Sequence, residues 1–201
     1  VSLKVGIIAV GIGMIVGGIL GAVSGYYGGW LDNLIMRAMD ILLSIPSILL
    51  AIAIAASLGP GVVNIMIAIG ISSVPQYARI VRGSVLSIRS QQFVIAARAV
   101  GGRDFHIIFK HILPNCMAPI IVQATLGVAW AILNTAGLSF IGLGIQPPIP
   151  EWGAMLSSGR NYIRDFSYMT LFPGLAIMIT ILALNFVGDG LRDALDPKMK
   201  R

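Results

Sequence analysis

Two acids, Asp32 and Asp40, stand eight residues apart, and paired carboxylates can work as general acid and base or hold a metal. No other acid lies near them, so a local ion-paired turn with Arg37 accounts for them with fewer demands. His106, His111 and Cys116 follow at five-residue intervals. Each such step along an α-helix turns about 140°, so the three do not share a face and no metal site is expected. Ser44, Ser47 and Ser139 have no histidine and acid arranged to activate them and read as helix hydrogen-bonding residues. No G-x-x-x-x-G-K-[ST] string occurs, so a phosphate-cradling loop for ATP is absent from the sequence. The chemistry that remains is polar and uncharged: Gln123, Asn134 and Ser139 sit inside one long apolar run. Polar groups in such a run face other helices or a wet pathway, and both interhelical hydrogen bonding and substrate contact fit them. No cofactor is expected.

Membrane helices must position these groups. Of 201 residues, 57% are hydrophobic and 11% charged, against about 25% charged in a soluble domain. Mean hydropathy is +0.90. Long apolar runs, rather than ten-residue alternation, select helices over a barrel. The expected fold class is an all-α, polytopic integral membrane protein. A single transmembrane domain covers 1–201, with five spans at about 5–24, 40–58, 62–86, 116–144 and 168–188. Gly13, Gly17, Gly21, Gly25 and Gly29 recur at every fourth position and predict a helix-packing ridge. Tyr26 to Asp40 reads as an interfacial turn, with Tyr26, Tyr27 and Trp30 at headgroup level. Pro46 predicts a kink in the second span. The first run has no basic leader or cleavage site, so it is not read as a signal peptide. Five spans put Val1 outside and Arg201 inside, and a further span before Val1 is the expected completion.

A net charge of +6 would suit nucleic acid, but basic residues gathered on cytoplasmic loops explain it better. Lipid is the expected contact, and nucleic acid is not. Between 76 and 111, Arg79, Arg82, Arg89, Arg98, Arg103 and Lys110 face one acid, Asp104, which puts this interval inside the cell. Its core, 90–115, predicts a short helix. Ser90 is a candidate cap, Phe93, Ala97 and Val100 form a narrow apolar face, and Ala96, Ala97 and Ala99 keep the helix slim. Gly101-Gly102 ends it, Asp104 can cap a second helical segment, and Pro114 interrupts that segment. Residues 146–167, with Pro147, Pro148 and Pro150, read as an external loop containing a short interfacial helix over Glu151 to Tyr162. In the tail, Arg192, Lys198, Lys200 and Arg201 again point inward.

Ala96-Ala97, Gly101 and Leu113-Pro114 fall where the coupling loop of ABC-importer permeases carries its Glu-Ala-Ala, Gly and Ile-x-Leu-Pro pattern. Ile95 replaces the usual Glu, and His111 the usual Ile. The strings H-I-L-P-N at 111–115, G-L-S-F-I-G-L-G-I-Q-P-P-I-P-E-W-G at 137–153 and L-R-D-A-L-D-P at 191–197 resemble the dipeptide, oligopeptide and nickel branch. The resemblance covers essentially the whole chain. It implies a multi-pass permease of the bacterial inner (plasma) membrane, not an enzyme. Its implied partners are a second homologous permease, two ABC ATPases and an extracytoplasmic solute-binding protein. The loop would rock against an ATPase as a lever with Gly101 as hinge, through Phe93, Ala96, Ala97, Val100, Gly101, Arg103 and Pro114. Peptides are the implied cargo, with nickel or another small solute as the alternative. A self-contained channel or secondary transporter, or an intramembrane enzyme built on Asp32 and Asp40, would belong to other classes.

Overall fold

Long uncharged runs rich in small residues favour helices that pack backbone to backbone, and the seam between two such helices is the spine of this protein. In the computed structural model, residues 1–195 are described. Lys198, Lys200 and Arg201, expected on the cytoplasmic side, lie outside them. Helix α1 (Ser2–Tyr27) runs parallel to α4 (Val62–Ile88). The contacts step forward together: Gly13 faces Gly70 and Ser73, Gly17 faces Val74 and Tyr77, Gly21 faces Ala78 and Val81, and Gly25 faces Val85. A Cβ added at any of these four would come closer than 3.0 Å to α4. Gly29, at the next position of the same spacing, lies beyond the end of α1 with open space around it.

Residues 29–43 form a helix, α2 (Gly29–Leu43), where the glycines and aromatics suggest a turn. The physical reason is its apolar spacing: Ile35, Met36, Met39 and Leu42 pack against Val74 and Ala78 of α4. At Pro46 the chain breaks rather than kinks. It turns by 86° into α3 (Ser47–Leu58), because proline removes a backbone donor and the residue before it avoids helical geometry. A short segment follows α4: α5 (Gln92–Ala99), α6 (Asp104–His106) and a π-helical turn, Ile107–Ile112. These lead into α7 (Leu113–Phe140), in which Pro114 takes the first turn and Pro119 sits inside the helix rather than at its start. Then come α8 (Trp152–Gly159), a 3₁₀ turn at Arg160–Tyr162 and α9 (Tyr168–Leu195).

Among the described residues, three helices are long and apolar enough to cross a membrane: Ser2–Tyr27, Asp104–Phe140 and Tyr168–Leu195. The bent pair α2 and α3 would make a fourth. Helix α4 has 27 residues, about 40 Å of rise, but its second half carries Gln76, Arg79 and Arg82. Asp40 and Asp32 of α2 pair with Arg79 and Arg82, while Gln76 and Arg79 remain exposed. Glu151, 1% exposed, fixes the start of α8 against α1: its carboxylate accepts Ala154 N–H at 2.8 Å and Ser2 Oγ at 3.2 Å.

Candidate functional site

A cavity of about 310 Å³ opens beside the α1–α4 seam, between α3, α4 and α7. One wall is a stripe on α7: Gln123, Gly127, Trp130 and Asn134 recur at helical spacing. The facing wall is Ser72, Ser73 and Gln76 of α4, with Ser47 from α3. Ser72 Oγ and Ser73 Oγ donate to Ile69 O and Gly70 O, at 2.9 and 2.8 Å, so each hydroxyl oxygen keeps accepting capacity. Gly127 has no side chain because the Tyr77 hydroxyl occupies the space where a Cβ would stand. Among the described residues, no Asp, Glu, Lys or Arg lines this cavity. Gln123 and Asn134 of the sequence-level set meet here. Ser139 does not: it is buried, and its Oγ accepts Ile145 N–H at 3.1 Å, closing the end of α7.

The second site is the segment 90–115. Helix α5 begins at Gln91, whose side chain makes no cap bond, and not at Ser90. Its end is a Schellman motif: Gly102 N–H donates to Ala97 O and Gly101 N–H to Arg98 O, both at 3.0 Å. Gly101 sits at φ +83°, in the left-handed region that favours glycine. Val94 is the single buried residue of α5, and Ala97 lies half-buried at the edge of that side. Phe93, Ile95, Ala96 and Val100 face outward, Val100 at 86% exposure. Phe105, 72% exposed, stacks on Phe109 with ring centroids 4.4 Å apart and extends the apolar surface. Arg103 is exposed and precedes α6, and Pro114 is exposed at the start of α7. Asp104 caps nothing with its side chain; it accepts a hydrogen bond from Tyr26 Oη at 2.6 Å.

A helical chain with a slim basic loop and an uncharged intramembrane cavity has the attributes of a transport component. Residues 13–201 match the family described as the binding-protein-dependent transport system inner membrane component. The chain belongs to this family. Relatives span its length. It is 56% identical over 199 residues to a dipeptide transport system permease protein, DppC, of Alkalihalophilus pseudofirmus. It is 50% identical to a di/tripeptide transport system permease protein of Pseudomonas aeruginosa and 47% identical to a glutathione transport system permease protein, GsiD, of Pectobacterium atrosepticum. These alignments cover 99%, 99% and 100% of this chain and 66% of each relative. The fold matches a chain of the MetNI methionine ABC transporter, with TM-score 0.76 and 19% identity over 97% of this chain and 93% of that one. It also matches an amino acid ABC transporter, with TM-score 0.71 and 15% identity over 96% and 90%.

As an inner membrane transport component, the chain needs no catalytic site, and its acids have other work. Asp32 and Asp40 do not pair locally with Arg37. Asp32 receives Arg82 Nε and Nη2 at 2.6 and 2.7 Å together with Ser24 Oγ, and Asp40 receives Arg79 Nη2 at 2.6 Å. The local expectation fails because α2 lies along α4, which brings in partners 50 and 39 residues away. The π-helical turn also changes the histidine geometry. It brings the His106 and His111 rings to 5.7 Å, a proximity that α-helical spacing excludes. Among the described residues, no three His, Cys, Asp or Glu gather to hold a metal ion. Sequence reasoning missed the α4 wall of the cavity. The spacing of Ser72 and Gln76, four residues apart, was the available signal.

Proposed function

We propose that this chain is a permease subunit of an ATP-driven ABC importer for dipeptides or oligopeptides in the bacterial inner membrane. It forms half of the translocation pathway with a second homologous permease. Two ABC ATPases drive it, and an extracytoplasmic binding protein supplies the solute. The observation that carries the reading is the outward apolar tip of the coupling segment, Phe93, Ile95, Ala96 and Val100. It is held on a Schellman-capped helix and followed by the exposed Phe105 and Phe109. A small, capped, apolar-tipped helix fits a protein cleft, whereas a membrane-surface helix carries more bulk. The cavity supports amide-bearing cargo, since its glutamine, asparagine and serine groups can pair with peptide N–H and C=O without holding a fixed charge.

The test is purification of the tagged full-length chain from its native membrane, with partners identified by mass, followed by peptide uptake in proteoliposomes. Co-purifying ATPases, a second permease and ATP-dependent uptake are the expected results. A chain that is active alone, or whose uptake survives ATP depletion, overturns the reading in favour of a channel or secondary transporter. Gly101→Pro and Ala97→Trp are each expected to abolish ATP-driven uptake while the protein still inserts; normal uptake in either rejects the lever. The glutathione permease relatives favour a second reading of the cargo, a γ-glutamyl tripeptide. Competition between dipeptides, glutathione and nickel in the same assay separates these solutes.

A further inference from the structure

The coupling helix is attached to the rest of the protein at few points. Val94 supplies the main apolar one, buried in the same cluster as Val85, Ile88 and Ile107, with Ala97 packed against that cluster. The polar one is a single side chain. Tyr26, 5% exposed near the end of α1, is gripped from both sides of the Gly101-Gly102 turn. Before the turn, the Arg98 guanidinium lies 5.1 Å from the centroid of its ring, within cation–π range. After the turn, Asp104 Oδ1 accepts its hydroxyl proton at 2.6 Å, a charge-assisted bond. A third charged residue anchors the backbone beneath: Arg89 Nη1 donates to Gly25 O at 2.8 Å and to Tyr26 O at 3.3 Å.

We infer that Tyr26 is a positioning residue that carries displacement of the coupling segment into the α1–α4 pair. The inference rests on the importer reading. Opposite charges on the two arms of the loop converge on one ring, so the loop cannot shift without moving Tyr26 or breaking both contacts. Tyr26 in turn cannot shift independently of α4. It stands one residue beyond Gly25, where an added Cβ would come within 2.9 Å of Val85, and it is buried in one apolar cluster with Val81, Val85 and Ile88. Force applied at α5 reaches α4 along the chain itself, and it reaches α1 through one hydroxyl and one ring face.

The experiment uses the complete transporter in proteoliposomes, with uptake and ATP hydrolysis measured on the same preparation. Tyr26→Phe keeps the ring and removes the hydroxyl. The expected result is a fall in peptide imported per ATP hydrolysed of at least about tenfold, the worth of one charge-assisted hydrogen bond, with ATPase subunits still co-purifying. Asp104→Ala should match it, and the double variant should be no worse than either single one. Asp104→Asn keeps an acceptor oxygen and should restore most of the ratio, which a merely structural role does not predict. Hydrogen exchange gives a second reading: residues 92–106 should lose protection in Tyr26→Phe while α1 and α4 keep theirs. An unchanged ratio with the complex intact, additive effects, or Asp104→Asn as defective as Asp104→Ala overturns the clamp alone. Wild-type uptake without any ATPase overturns the importer reading and the clamp with it.

Discussion

The cavity and the basic end of the molecule both present polar side chains, yet they are built from opposite chemistry. Around the cavity every lining polar side chain is neutral: Gln76, Gln123, Asn134, three serines, Tyr77 and Trp130. At the basic end several charged groups are held by partners. Arg82 holds Asp32, Arg79 holds Asp40, Arg89 holds two α1 carbonyls, and Arg98 and Asp104 meet at Tyr26. Neutral groups make hydrogen bonds that a passing solute can exchange for water at little net cost. Charged pairs with two-point geometry hold helices in one arrangement. One end of the molecule is thus suited to letting go and the other to holding on.

The sharpest way to break this contrast is to pry apart the helices that serve both ends. Gly21→Val pushes a branched side chain into Ala78 and Val81. Overpacking costs about 1–3 kcal/mol, and more where the neighbour is backbone, so thermal unfolding in detergent should show the largest loss of the series. Asp32→Ala attacks only the charged end and leaves Arg82, one-third exposed, without its bidentate partner. A loss of about 1–3 kcal/mol is expected, and Asp32→Asn should recover part of it. Asn134→Asp attacks only the neutral end. Its charge should lower uptake of acidic peptides relative to basic ones by about tenfold, with little change in melting temperature. If all peptides suffer equally, the cavity does not contact cargo. Asp40→Ala should be the mildest, under about 1 kcal/mol, because both partners of its ion pair are about half exposed.

Sequence and structure meet unevenly across these two ends. Glycine at every fourth position of α1 is visible in the sequence, and the structure sets Gly13, Gly17, Gly21 and Gly25 against α4. The Gly101-Gly102 pair marks the end of α5, where the left-handed φ of Gly101 is found. What the sequence conceals is of two kinds. Partners far apart in the chain, such as Asp32 with Arg82 or Tyr26 with Asp104, leave no local pattern; an acid and an arginine 50 residues apart look unrelated. Departures from regular helix geometry leave none either. The π-helical turn at Ile107–Ile112 rotates His111 toward His106, and the 86° break at Pro46 turns one expected span into two helices. Phe93, Ala97 and Val100 share a spacing, but Val94 claims the buried side, so Ala97 turns partly inward and Ile95 outward.

The glycine seam also sets a mechanical scale. With Cα atoms of α1 pressed directly on α4, the two helices have little freedom to slide and behave as one stiff beam. Helix α4 alone, at 27 residues, is about 40 Å long. Tilting such a beam by about 5° about one end sweeps the other through about 3.5 Å. Displacement of that size exceeds the diameter of a water molecule, about 2.8 Å, so a small rotation at the basic end is enough to admit or expel a layer of solvent along the far wall.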